Sequence, residues 1–215
     1  EAGGGRADPP AGRSDLVIGH EMLGEVAEVG TAVRRVRPGD LAVLTVRRGC
    51  GRCLPCAMTR SDMCLTGEYL ERGIRGLDGY QAEYVVDRER EIVRVPPEVG
   101  LAGVLAEPLS VVEKAIDEAL RIQFARLPAA AAAPDWLEGR RCMVAGLGPV
   151  GLLAAMVLVL RGADVHGLDI VDAASARPEW LRAIGGTYID GRQLAPERIA
   201  DAVGPMEFLV AAAGA

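Results

Sequence analysis

Four of the five cysteines in this 215-residue chain lie within one short stretch, Cys50-Gly-Arg-Cys53-Leu-Pro-Cys56 followed by Cys64. The spacing C-x2-C-x2-C-x7-C sets four thiols around a turn-forming Gly51 and Pro55. Four thiolates so close in sequence can close a tetrahedron on Zn²⁺. Two disulfides, four unrelated buried thiols, or an iron–sulfur cluster are the alternatives. A four-thiolate site leaves no open position for a reacting group, so its metal holds a shape. It folds a loop that has little hydrophobic core of its own.

That cluster also bears on the compartment. Thiols arranged for a metal suit a reducing cytoplasm better than a secreted disulfide scaffold. Residues Glu1 to Arg13 are Gly/Pro-rich and carry no signal-peptide pattern. The net charge of −6 argues against nucleic acid or an anionic membrane as the main partner. Aromatics make up only 4% of the residues, which calls for aliphatic cores. Met143 to Leu160 is an uncharged run near the lower length limit of a membrane span. The turn Gly146-Leu147-Gly148-Pro149-Val150-Gly151 inside it splits the run into a buried strand and a buried helix, so no membrane span is expected.

The first half reads as short strands punctuated by Gly and Pro. Leu16–Ile18, the alternating stretch to Gly30, Leu41–Val46, Tyr80–Val86 and Glu91–Val95 are the candidates, with a tight turn at Pro38-Gly39-Asp40. This pattern predicts a small β-barrel from which the cysteine lobe departs. Near residue 101 the pattern changes. Pro108 is expected at a first helical position, with Leu109, Val112, Ile116 and Leu120 at helical spacing. Leu127 to Pro134 reads as a low-complexity linker. Strands at 141–145, 164–169, 187–190 and 207–212 then alternate with helices at 149–161, 178–185 and 196–203, which predicts a doubly wound parallel sheet. The fold class is α/β, with a first domain at 1–118 and a nucleotide-binding domain at 119–215.

Three constellations can carry chemistry. Gly146-x-Gly148-x-x-Gly151 follows a strand and opens a helix, and the next strand ends in Asp169, 23 residues after Gly146. Gly146, Gly148, Pro149, Val150 and Gly151 would bring backbone N–H groups to a pyrophosphate, and Asp169 would accept ribose hydroxyls. The alternative is a packing turn with an unrelated surface Asp. An acid at 169 favours NAD, and Arg177 leaves NADP open. His20-Glu21 could both reach a metal if the chain bends at Gly19, or form a surface ion pair. Glu107, just before Pro108, could serve a site or simply favour the helix dipole. Glu71 by itself is an ordinary loop charge. Cys142 reads as a core thiol, and His166 as a structural residue.

Taken in order, Gly19-His20-Glu21-x-x-Gly24-x-Val26, the Pro38-Gly39-Asp40 turn, the four cysteines and Gly-Leu-Gly-Pro-Val-Gly resemble the zinc-containing medium-chain dehydrogenase/reductase superfamily, which is alcohol dehydrogenase-like. The narrower likeness is to the glucose 1-dehydrogenases. It is carried by Thr45-Val-Arg-Arg-Gly-Cys50, Cys64-Leu-Thr-Gly-Glu-Tyr-Leu-Glu71-Arg-Gly-Ile, Asp78-Gly79-Tyr80 and Glu107-Pro-Leu-Ser-Val-Val-Glu-Lys-Ala-Ile116.

The resemblance implies a GroES-like catalytic barrel followed by a Rossmann sheet. Cys50, Cys53, Cys56 and Cys64 would hold a structural zinc. His20, Glu21 and Glu107 would hold a catalytic zinc, and Glu71 would contact a sugar hydroxyl. The implied reaction passes a hydride from C1 of an aldose, glucose first, to NAD or NADP, giving an aldonolactone. A cytoplasmic homo-oligomer, dimer or tetramer when full length, is implied with it. The family's first catalytic ligand is a cysteine upstream of His20, and no cysteine precedes Cys50. With the strands expected beyond residue 215, this marks the sequence as an internal piece of a longer chain, inactive by itself. A non-catalytic zinc-stabilised nucleotide-binding protein and a polyol or alcohol dehydrogenase are the competing readings.

Overall fold

The computed structural model describes residues 7–127, 135–194 and 196–213. It divides into two compact units, Glu1–Glu107 and Pro108–Ala215. The division falls at the first turn of the long central helix, ahead of the 118/119 boundary read from the sequence. The reason lies in that helix, whose Val112 and Ile116 are buried in the core of the second unit.

The first unit is built from short pieces. They are β1 (Gly24–Glu25), β2 (Leu41–Leu44), β3 (Arg47–Arg48), α1 (Leu54–Ala57), β4 (Leu70–Arg72), β5 (Gly76–Leu77) and β6 (Ile92–Arg94). One three-stranded sheet runs β1-β2-β6, antiparallel throughout, and the other β3-β4-β5. The turn before β2 forms as expected. Gly39 takes φ +90°, and the Arg37 N–H donates to the Asp40 carboxylate at 3.0 Å.

Two expected strands, Leu16–Ile18 and Tyr80–Val86, do not form. Their backbones do meet, with the Gly79 N–H donating to the Val17 carbonyl and the Gln81 N–H to that of Ile18. Gly19 stands at φ +94°, outside the β region, so no ladder can continue past it. Tyr84 and Val86 lie almost wholly in solvent, so the alternation there marks no buried face.

In the second unit the elements fall close to their expected bounds. After a 3₁₀ stretch at Pro97–Leu105 come α2 (Ala106–Arg126), β7 (Arg141–Ala145), α3 (Pro149–Leu160), β8 (Asp164–Asp169), α4 (Ala176–Ala183), β9 (Thr187–Asp190), α5 (Ile199–Val203) and β10 (Phe208–Ala211). Helix α2 begins two residues before Pro108. Proline is accommodated because first-turn N–H groups have no helical partner anyway. The linker reading at Leu127–Pro134 falls, past Leu127, outside the described residues. Strands pair in the order β10-β7-β8-β9, all parallel.

The uncharged run is β7 plus α3. Val144, Ala154, Ala155 and Leu158 have no exposed surface, packed with Leu147, Val165 and Leu181. Buried parallel strands read as continuous apolar runs for this reason. No helix among the described residues is long and apolar enough to cross a membrane. The strand order reverses between β7 and β10, the place where open α/β sheets bind ligands.

Candidate functional site

His20, Glu21 and Glu107 are brought together, each offering one ligand atom within 4.8 Å of the others. Two local devices achieve this. The left-handed Gly19 turns the chain just before His20. On the other side, Gly103 in the 3₁₀ stretch lies so close to Val95 and Leu23 that a Cβ would meet their methyl groups at 2.9 and 3.0 Å. That approach delivers Glu107 at the start of α2.

The donors fit a metal. His20 Nδ1 is buried and has no hydrogen-bond partner, a costly state for a polar atom unless something completes it. Burial raises the Glu107 carboxyl above its ordinary value; His20 opposes this and Glu21 adds to it. One imidazole and two carboxylates suit Zn²⁺, and three protein ligands leave a position open.

The four thiols of Cys50, Cys53, Cys56 and Cys64 also converge within 4.8 Å, and none is in a disulfide. The Thr66 hydroxyl and backbone N–H groups lower the Cys50 thiol to about 5. Thr66 likewise draws Cys64 down to about 7, while burial pushes Cys56 up to about 12. Crowded sulfurs resist ionising together, and a cation removes that conflict. Between Cys50 and Thr66 no residue is buried, and Leu54, Met58 and Leu65 are largely in solvent. The lobe therefore has no apolar core to hold it, which fits a metal staple.

At the end of β7, Gly146 takes φ +92°, and a Cβ there would lie 2.6 Å from the Ala213 nitrogen. A Cβ on Gly151 would sit 1.8 Å from the Gly146 carbonyl oxygen, so α3 packs directly on the turn. Gly148, by contrast, faces open space. This is the division of labour a pyrophosphate cradle needs: a turn, an unobstructed approach and a close helix. Pro149 opens α3, and Val150 is partly exposed beside it. Asp169, at the end of β8, accepts hydrogen bonds from the Leu147 N–H at 2.8 Å and the Ile170 N–H at 2.7 Å. Arg177 stands 3.6 Å from its carboxylate.

Glu71 is not in the His20 group. It sits on β4 opposite Arg47 of β3 and pairs with it at 2.6 Å. The Arg47 and Arg75 guanidiniums stack on the Tyr69 ring, 4.0 and 4.7 Å from its centroid. His166 lies on β8, outside both donor groups, with Nε2 3.3 Å from Asp164. Cys142 is fully buried in the core.

Sequence reasoning misses Arg72, the one buried charged residue among those described. Its guanidinium binds Asp87 and the carbonyls of Asp78 and Val86. It also misses Gly103. A glycine between apolar residues offers no local sign of which chain it will touch.

A β-rich unit carrying a His–Glu–Glu group and a four-thiol lobe, followed in the chain by a parallel sheet with a glycine turn, defines the zinc-containing medium-chain dehydrogenase class. Residues 3–97 match the alcohol dehydrogenase GroES-like domain. Residues 100–215 match the glucose dehydrogenase C-terminus. The chain belongs to the glucose dehydrogenase family within that class.

Relatives include the glucose 1-dehydrogenase of Methanocella arvoryzae, 42% identical over 96% of this chain and 55% of the relative. Glucose 1-dehydrogenase 2 of Vulcanisaeta moutnovskia is 45% identical over 84% of this chain and 48% of its own length. The crystal structure of glucose dehydrogenase from Haloferax mediterranei superposes with a TM-score of 0.81 at 32% identity, covering 99% of this chain and 58% of that one. The same enzyme in complex with NADP, Zn and gluconolactone gives 0.79 at 32% identity, with the same coverage. The chain thus spans about half the length of the curated relatives it matches.

Proposed function

We propose that the protein to which this chain belongs is a zinc- and NAD(P)-dependent glucose 1-dehydrogenase, with NAD preferred. The supporting observation is the convergence of His20, Glu21 and Glu107 within 4.8 Å, with the His20 Nδ1 buried and lacking a partner. His20, Glu21 and Glu107 would hold the catalytic ion, and the four cysteines the structural one. When bound at an open site, zinc polarises a hydroxyl oxygen and lowers its pKa. A nicotinamide bound at the glycine turn would supply the acceptor for the hydride leaving C1.

The chain's own groups do the rest. The open backbone at Gly148 and the N-terminus of α3 receive the pyrophosphate. The Asp169 carboxylate, already oriented by the Leu147 N–H, accepts from the adenosine ribose and repels a 2′-phosphate. Glu71, steadied by Arg47, offers a carboxylate to a sugar hydroxyl. The functional domains are read as 1–118 and 119–215, a boundary within helix α2, whose first turn is where the compact units divide. A cytoplasmic homo-oligomer, dimer or tetramer, completes the reading, and the unpaired thiol cluster supports the compartment.

The test is a steady-state rate panel on the full-length protein, with several aldoses and polyols and with NAD and NADP. Glucose with NAD should give the highest kcat/KM. A preference for polyols would replace the substrate, and no turnover with any of them would leave a non-catalytic nucleotide-binding protein.

A further inference from the structure

His20 follows a point where three glycines meet. A Cβ on Gly73 would come within 2.3 Å of the Gly19 carbonyl oxygen, and one on Gly79 within 2.2 Å of the same atom. Gly73 also needs its left-handed φ of +71°. Gly79 does not have a left-handed φ, so close approach alone demands its missing side chain.

The segment Asp78–Gln81 grips Val17–Gly19 around this contact. The Gly79 N–H donates to the Val17 carbonyl at 2.6 Å, that of Tyr80 to the Gly19 carbonyl at 2.9 Å, and that of Gln81 to the Ile18 carbonyl at 3.1 Å. In return the Val17 N–H donates to the Asp78 carboxylate at 3.0 Å. The gripping segment is itself anchored. Arg72 donates to the Asp78 carbonyl at 2.9 Å, and the Tyr80 hydroxyl to the Thr45 carbonyl at 2.9 Å.

A loop that merely covered residues 17–19 could do so with side chains and at ordinary distances. Here backbone lies on backbone, and the carbonyl oxygen of the residue before His20 is the atom that a Cβ on either Gly73 or Gly79 would meet first. A peptide plane fixed at Gly19 fixes the direction in which His20 and Glu21 leave it. We infer, on the reading of His20, Glu21 and Glu107 as metal ligands, that the Gly73–Gly79 clasp with Asp78 is a positioning element for the His20–Glu21 pair. Gly103 sets Glu107 from the other side. The clasp binds no substrate; it aims ligands.

The experiment uses the full-length protein loaded with Co²⁺, read by equilibrium dialysis and by the visible spectrum of the ion. Its variants are Gly79→Ala, Asp78→Ala, His20→Ala as reference, and Gly76→Ala as control. Gly76 opens β5, three residues before Gly79, at φ +67°, but a Cβ there meets only the Leu70 side chain. Wild type should hold an ion at each donor group, and His20→Ala should lose one. Gly79→Ala should weaken that same ion by about 10- to 100-fold, the range for residues that orient metal ligands, and shift its spectrum. Asp78→Ala should weaken it less, and Gly76→Ala not at all. In every variant the thiolate-bound ion should stay.

A folded Gly79→Ala protein with wild-type affinity and spectrum overturns the inference, as does equal loss in Gly76→Ala. If Gly79→Ala does not fold, Asp78→Ala decides, and unchanged affinity there overturns it. Retention of both ions by His20→Ala brings down the metal reading itself, and the clasp inference with it. That failure shows in the reference variant, not in the clasp variants.

Discussion

The Asp169 carboxylate accepts a hydrogen bond from the Leu147 backbone N–H at 2.8 Å, tying the end of β8 to the glycine turn after β7. The side chain orders the turn, and on the proposed cofactor reading the same carboxylate would face the adenosine ribose. Asp169→Ala should weaken NAD binding by about 10-fold or more, since a hydrogen bond to a charged group contributes about 1.5–3 kcal/mol. NADP affinity should fall less, so the two cofactors converge. Fluorescence titration of the full-length protein with NADH and NADPH measures this, and an unchanged ratio would remove Asp169 from cofactor choice.

The thiol lobe has no buried residue of its own. Cys50→Ser should therefore abolish one metal equivalent and open residues 50–66 to limited proteolysis. Cys142→Ser is the contrast. It places a hydroxyl in a fully buried site and should cost about 1–3 kcal/mol of stability with metal content unchanged. Elemental analysis and denaturant melts separate the two effects.

Arg72 and Asp87 form a nearly buried pair, 10% and 9% exposed at the side chain. Arg48 shares the same carboxylate at 2.6 Å. Burial pushes Asp87 upward, but the Arg88 N–H and the two guanidiniums outweigh it, and its pKa lies below the ordinary value. Arg72→Met removes one of those partners and leaves two carbonyls without their donor. A loss of about 3–5 kcal/mol is expected, as for other broken buried pairs. A midpoint in urea within experimental error of wild type would show that Arg48 alone suffices.

Asp190 is clasped by Arg192 through two nitrogens, at 2.9 and 2.7 Å. Those bonds hold its pKa down to about 2 against the opposing effect of burial. A carboxyl depressed in the folded state contributes its stability above the unfolded value, about 3.9. That contribution fades as pH falls through the folded value. Wild type and Asp190→Asn should therefore differ by a constant melting temperature above about pH 5, and the gap should close as the pH falls from about 4 through 2. A gap that persists unchanged at the acid end would assign the effect to something other than the carboxylate charge.

The second unit was legible in the sequence to within a residue or two. β7, β8 and β9 run at the bounds read from the sequence, and β7, with three consecutive buried residues, shows how a strand buried on both faces writes its burial into consecutive residues. The first unit was harder to read. Its strands are two to four residues long, too short for a period to register. Past the buried Tyr80, the alternation up to Val86 proved to be coil with Tyr84 and Val86 in solvent. Gly19 is the physical reason that the neighbouring stretch gave no strand: its left-handed φ ends the pairing it begins.

The sequence by itself determined the thiol cluster, the glycine turn and the acid at the end of β8, because each is a set of residues whose spacing is its geometry. Only the tertiary structure decided that Glu107 meets His20, that Glu71 pairs with Arg47 and that Arg72 finds Asp87. Those partners are far apart in the chain. Glu71 and Arg47 meet through the β3–β4 pairing, whereas the chain around His20 and ahead of Glu107 is set by close approaches at Gly19, Gly73, Gly79 and Gly103, where the decisive property is an absent side chain. A missing Cβ marks the place where another segment must fit, and it carries no information about which segment that is.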